Sequence, residues 1–173
     1  ELRAALNSVA EILGRAKAVS FDRVQSCHPC LAYTDGAEER KAGLTTGGMV
    51  HDREDDSNVA YSGEVPQAEA SRWKRASKLH CKGPDEKKRF IINVELYAIL
   101  QCITSILATD PKYRGRQVIW YVDNKSAVSM LSKACASHTE HRMLVYTILQ
   151  RLTSLNIDVW WDYVPSHQNV GDA

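Results

Sequence analysis

Residues 116–130 read RQVIWYVDNKSAVSM. The first half is a nearly continuous apolar run with a β-branched bias, which suits a strand buried on both faces. It ends on one carboxylate, Asp123. The second half, NKSAVSM, predicts a short helix. Functional sites in open α/β sheets gather at the carboxyl ends of strands, where this unit delivers its acid.

Working outward, CLAYTD (30–35) predicts another strand, with Leu31, Tyr33 and Asp35 on one side. AGLTTGGMV (42–50) and SNVAYSGEV (57–65) predict two more, joined by HDREDD as a solvated turn. Three strands in quick succession imply an antiparallel meander. Pro66 opens a predicted helix, QAEASRWKRASKLH, followed by CKGPDEKKRF as a loop. INVELYAILQCITSILA (92–108) is a helix with Leu96, Ile99, Leu100, Ile103 and Leu107 inward. In SHTEHRMLVYTILQRLTSL, Ser137 and Glu140 have capping-box spacing, and Val145, Ile148, Leu149 and Leu152 form the apolar stripe. IDVWWDYV closes as a strand. Residues 2–18 place Leu2, Leu6, Val9, Leu13 and Ala16 on one helical face. The order βββ, helix, β, helices, β, with a helix in front, predicts an α/β chain with a mixed sheet flanked by helices.

The 173 residues are one domain's worth, and 44% hydrophobic with 25% charged is ordinary for a globular protein. No uninterrupted apolar run approaches the roughly 20 residues of a membrane span, so no membrane partner is expected. The charged N-terminus reads as an amphipathic helix rather than a signal peptide. A net charge of +1 advertises no global attraction for a polyanion. Five cysteines, an odd number without a disulfide framework, favour a reducing, intracellular setting. With no initiator Met and an abrupt end, the chain is expected to be a fragment of a longer polypeptide, monomeric as such.

Three acids sit where the local pattern does not explain them. Asp35 and Asp123 end strands, and Glu95 lies beside the stripe of Ile99 and Cys102. Each has a structural explanation by itself: Asp123 as a helix N-cap, Glu95 at the positive end of its helix, Asp35 with Gly36 as a turn. Together they call for a shared partner, because ionised carboxylates near a core are costly unless paired. Hard oxygen ligands select Mg²⁺ or Mn²⁺ over zinc.

YTDGA (33–37), VELYAIL (94–100), WYVDNKSAV (120–128) and VPSHQNVGDA (164–173) occur in this order, each on its expected element. As a set they resemble the four motifs of the ribonuclease H family, in particular the domains attached to retroelement reverse transcriptases. The resemblance covers roughly residues 30–173. It implies a five-stranded mixed sheet with its first three strands antiparallel; residues 1–29, the N-terminal helix read from its apolar face and a connection, precede it. It implies a catalytic set of Asp35, Glu95, Asp123 and Asp172 holding two Mg²⁺ ions, with Mn²⁺ as a substitute. The implied reaction is two-metal hydrolysis of the RNA strand of RNA–DNA hybrids, leaving a 5′ phosphate. His167 matches a mobile histidine that assists catalysis or product departure. Asn124 and Ser126 are expected to contact substrate, and Asn169 to brace the loop carrying Asp172. A covalently linked reverse transcriptase domain is the expected partner. The alternative is a catalytically silent scaffold of the same fold that binds nucleic acid or protein in a larger assembly.

The chain departs from the family pattern in two places. Residues 66–90 form an insert between Asp35 and Glu95 that carries Arg72, Lys74, Arg75 and Lys78 around Trp73. Basic residues neutralise phosphates and an aromatic can stack on a base, so this insert is expected to grip nucleic acid. The family's final helix is missing from the chain, so Asp172 is expected to be poorly placed. Cys27 and Cys30 have zinc-knuckle spacing, with His80 and Cys81 as a possible second pair, but half a site is a weak signal and zinc is not expected.

Overall fold

The computed structural model describes residues 28–39, 43–80 and 84–170. The helix expected at 2–18, Cys27, Cys81 and Asp172 lie outside them. Strands β1 (Cys30–Glu39), β2 (Gly43–Asp52) and β3 (Ser57–Glu64) form the meander, followed by helices α1 (Gln67–His80) and α2 (Pro84–Cys102). Strand β4 (Gln117–Val122), helices α3 (Lys125–Ser132) and α4 (Thr139–Ser154) and strand β5 (Asp158–Tyr163) complete the order. The sheet runs β3-β2-β1-β4-β5. The β1–β2 and β2–β3 pairs are antiparallel, while β1–β4 and β4–β5 are parallel.

Alternation along β1 organises the centre. Cys30, Ala32 and Thr34 are fully buried on the face that α2 covers, while Leu31, Tyr33 and Asp35 point the other way. On that other face Tyr33 stacks on Tyr121 of β4, with ring centroids 4.9 Å apart. Helix α2 buries Val94, Leu96, Ala98, Ile99 and Cys102 against Val50, Val118, Trp120 and Val122. The fully buried Trp120 donates its indole N–H to Thr34 Oγ1 at 3.1 Å, so the two parallel strands are locked by a side chain as well as by the ladder. Residues 87–107 are long and apolar enough to cross a membrane by length and composition, and 61% of their most apolar window is buried in this fold. The apolar character of that helix is that of a core helix packed on the sheet.

Three sequence expectations change and one alternative reading falls. Helix α2 starts at Pro84 rather than at Ile92. Proline is favoured at a first helical position and acids in a first turn, so PDE is a start signal inside the stretch read as a loop. HDREDD is not all solvated, because Asp52 ends β2 and is 1% exposed. Arg116 reaches Asp52 at 2.8 Å and Lys112 at 3.5 Å. Burial pushes the Asp52 carboxyl up, but the Glu54 N–H and Arg116 outweigh it and hold the group below its ordinary value. The Ser137–Glu140 capping box does not form: His138 is the N-cap, without a side-chain bond, and Glu140 pairs with Arg72 instead. Finally, Asp123 does not cap α3. Asn124 does, its Oδ1 accepting from the N–H groups of Ser126 and Ala127 at 3.0 and 3.2 Å.

Candidate active site

Three elements bring three acids together. Asp35 lies within β1, opposite Gly47 of β2. Asp123 is the first residue after β4, which is parallel to β1. Glu95 comes from the middle of α2. One carboxylate oxygen from each lies within 4.8 Å of the others. The contact that permits this is at Gly36. A side-chain carbon there would sit 2.7 Å from the backbone carbonyl carbon of Val94 and 2.8 Å from Glu95 N. Only glycine lets β1 approach α2 this closely. The Gly36 N–H also donates to the Glu95 carboxylate.

Glu95 is 5% exposed. Burial pushes its pKa up to about 9, the negative charges of Asp123 and Asp35 add to the rise, and the Gly36 N–H opposes it. The Glu95 and Asp123 carboxyls lie close enough to share a proton when one is protonated. With both ionised no such bond exists, and Glu95 Oε2 and Asp123 Oδ1 are buried without a hydrogen-bond partner. Buried, clustered, under-satisfied carboxylate oxygens are what a divalent cation neutralises, and an all-oxygen set suits Mg²⁺ or Mn²⁺. The residues present therefore fit the expected metal.

The rest of the expected set is spread more widely. Asn124 is half-buried and its side-chain oxygen is committed to capping α3, so its amide N–H groups are what it can offer a ligand. Ser126 is exposed in the first turn of α3. His167 is exposed in a short 3-10 turn, Ser166–Gln168. Asn169 is buried and donates to the Thr34 carbonyl at 3.1 Å, one residue before Asp35. Two contributors escaped the sequence reading. Ser166 donates from its hydroxyl to Asp123 Oδ2 at 2.8 Å. Gly36 was read only as a turn signal, although its position inside an apolar strand marks a close backbone approach.

The basic insert is corrected in part. Trp73 is fully buried and meets Tyr97 of α2 edge-to-face at 5.5 Å, so it is a core residue and cannot stack on a base. Its inward face follows from α1 packing on α2. Arg72 is engaged with Glu69 at 2.8 Å and Glu140 at 3.1 Å, so its charge ties α1 to α4 rather than standing open for a phosphate. Lys74, Arg75 and Lys78 are exposed on α1. Cys30, half of the suggested zinc pair, is a fully buried thiol whose pKa burial pushes up to about 11.

The mixed sheet in this order, with α2 crossing its centre, is the ribonuclease H-like fold. No protein-family model and no curated protein matches the chain. Among solved structures it is similar to LC11-RNase H1 in complex with an RNA/DNA hybrid, at TM-score 0.56 and 12% identity, covering 82% of this chain and 88% of that one. LC11-RNase H1 isolated from compost by a metagenomic approach superposes at TM-score 0.54 and 12% identity, over 83% of this chain and 90% of that one. A further match, to prototype foamy virus protease-reverse transcriptase, has TM-score 0.36 and 11% identity and covers 79% of this chain and 18% of that one.

Proposed function

We propose that this chain is a divalent-cation-dependent endonuclease that hydrolyses the RNA strand of RNA–DNA hybrids. The observation that carries the reading is the convergence of Asp35, Glu95 and Asp123 within 4.8 Å. It occurs in a fold shared with a ribonuclease H1 solved on an RNA/DNA hybrid. Asp35, Glu95 and Asp123 would hold two Mg²⁺ ions, or Mn²⁺, with Asp172 as the fourth ligand. When bound, such cations activate a water nucleophile and stabilise the leaving 3′ oxygen, giving a 5′-phosphate product.

The chain's own residues supply the rest. Glu95 holds a proton at neutral pH until a cation displaces it, so the site loads with proton release. The Asn124 amide and the Ser126 hydroxyl, next to Asp123, bind the sugar-phosphate backbone, and the 2′-OH marks the strand to be cut. Lys74, Arg75 and Lys78 neutralise phosphates beyond the site. His167 moves a proton at the scissile phosphate or speeds product departure. We further propose that the parent protein is intracellular and joins this domain to a retroelement reverse transcriptase. The four quoted motifs support that setting.

The test is incubation of the chain with a labelled RNA–DNA hybrid, single-stranded RNA and duplex DNA, with and without Mg²⁺, beside Asp35→Asn. Mg²⁺-dependent cleavage confined to the hybrid, and lost in the variant, is the expected result. A folded chain that cuts none of them refutes the nuclease reading and favours the binding scaffold.

A further inference from the structure

We propose that Ser166 is a positioning residue for Asp123, and that it couples the carboxylate cluster to the turn carrying His167. The identity of the cation rests on the nuclease reading above; the coupling rests on hydrogen bonds within the chain.

Asp123 has two oxygens in different states. Oδ2 accepts from Ser166 Oγ at 2.8 Å. Oδ1 faces Glu95 and, with both carboxylates ionised as a bound cation requires, is buried without a hydrogen-bond partner. A hydroxyl carries one proton, so in this geometry Ser166 commits it to the carboxylate, and a charge-assisted bond of this length is strong. One oxygen is thus committed to the protein and the other is left for a cation. The carboxylate cannot turn to present both without breaking the bond to Ser166.

Ser166 is itself fixed. Val164 N–H donates to the Val122 carbonyl at 3.1 Å, continuing the β4–β5 ladder to the end of β4. Asn169 N–H closes the 3-10 turn on the Ser166 carbonyl at 3.0 Å. The buried Asn169 side chain then donates to the Thr34 carbonyl at 3.1 Å. The segment 164–169 is therefore fastened to β1 beside Asp35 and to β4 beside Asp123, with exposed His167 between the fastenings. A cation drawing on Asp123 draws on Ser166, and through it on the turn.

Residues that hydrogen-bond a ligating carboxylate typically change metal affinity by about 10–100-fold when removed. Ser166 is exposed, so water replaces part of its role and the lower end applies. The experiment uses the full chain as wild type, Ser166→Ala and Ser166→Thr. Mn²⁺ binding is measured from the electron paramagnetic resonance signal of free Mn²⁺. Thermal midpoints and Mg²⁺-dependent hybrid cleavage are followed in parallel. Ser166→Ala is expected to bind Mn²⁺ about tenfold more weakly at an unchanged thermal midpoint. It is also expected to need more Mg²⁺ for half-maximal cleavage, and Ser166→Thr, which keeps the donor, to restore both. Wild-type Mn²⁺ affinity in Ser166→Ala overturns the proposal, as does failure of threonine to rescue. A wild-type chain that binds no Mn²⁺ overturns it together with the cation site. A chain that binds Mn²⁺ but leaves the hybrid intact defeats the nuclease reading alone, and the wild-type to Ser166→Ala affinity ratio still decides the role of Ser166.

Discussion

Gly36→Ala is the sharpest perturbation available, because its cost follows from atoms that cannot move aside. The added carbon would meet Val94 C at 2.7 Å, and Val94 O and Glu95 N at 2.8 Å. All three are backbone. Ordinary van der Waals contact begins at about 3.4–4 Å, so β1 and α2 must separate by several tenths of an ångström. Overpacking of this kind costs about 1–3 kcal/mol. Separation also stretches the Gly36 N–H bond to the Glu95 carboxyl, and a hydrogen bond to an uncharged group contributes about 0.5–1.5 kcal/mol when intact. The variant should lose about 2–4 kcal/mol by urea denaturation, with an unchanged m-value. The same movement displaces Glu95 from Asp35, and a misplacement of about 1 Å in a catalytic constellation can cost about a hundredfold. Hybrid cleavage should therefore fall far more than the folded fraction does, and Mn²⁺ affinity with it. Wild-type midpoint and wild-type Mn²⁺ affinity in Gly36→Ala would falsify the account of how Glu95 reaches the site.

Glu95 predicts the pH dependence of the metal-free chain. Its folded pKa of about 9 lies above its ordinary value of 4.5, so the folded state binds the proton more tightly than the unfolded one. The stability this contributes is complete below about pH 4.5 and is lost as pH rises from there to about 9. Denaturation midpoints measured from pH 5 to 9 should fall without metal. They should flatten in Glu95→Gln or on adding Mg²⁺; a flat wild-type profile without metal contradicts the assignment. In the insert, Trp73→Ala should destabilise the fold by about 3–5 kcal/mol, seen in a thermal scan. The triple variant Lys74→Glu, Arg75→Glu, Lys78→Glu should leave the midpoint nearly unchanged while weakening hybrid binding and flattening its salt slope. If the triple variant binds hybrid as the wild type does at all salt concentrations, α1 is a structural insert only.

The order of elements along the chain could be read from apolar runs and alternation, although the order of strands within the sheet could not. The run at β4 and the alternation in β1 carried that signal. What could not be read depends on contacts between elements distant in sequence. Asp52 stands in a run of charges that resembles any solvated turn, and only the placement of Arg116 and Lys112 shows it to be a buried ion-pair centre. Trp73 sits among basic residues, a context shared by nucleic-acid grips and by helices whose one aromatic faces inward. The choice is made by Tyr97 on the next helix. Ser166 carries no local sign of importance at all, because its partner is 43 positions upstream.

The three acids are the instructive case, since each had an ordinary explanation and the fold removes all three. Asp123 could have capped α3, but Asn124 does so. Glu95 could have answered the positive end of its helix. However, α2 begins at Pro84, and the helix-end effect dies out within the first turn. Asp35 with Gly36 could have been a turn, but β1 runs through both to Glu39, and Gly36 serves an approach to Val94 and Glu95 instead. What remains is a glutamate 5% exposed, raised to about 9 by burial and by two neighbouring aspartates. A fold gains nothing in stability from that arrangement; isolated, it is a net cost at neutral pH. Aspartate and glutamate side chains of this kind persist where a cation offsets the repulsion, and strained or destabilised groups collect at functional sites. The energetic defect of the cluster is therefore itself an argument for the cation, independent of any resemblance to another protein.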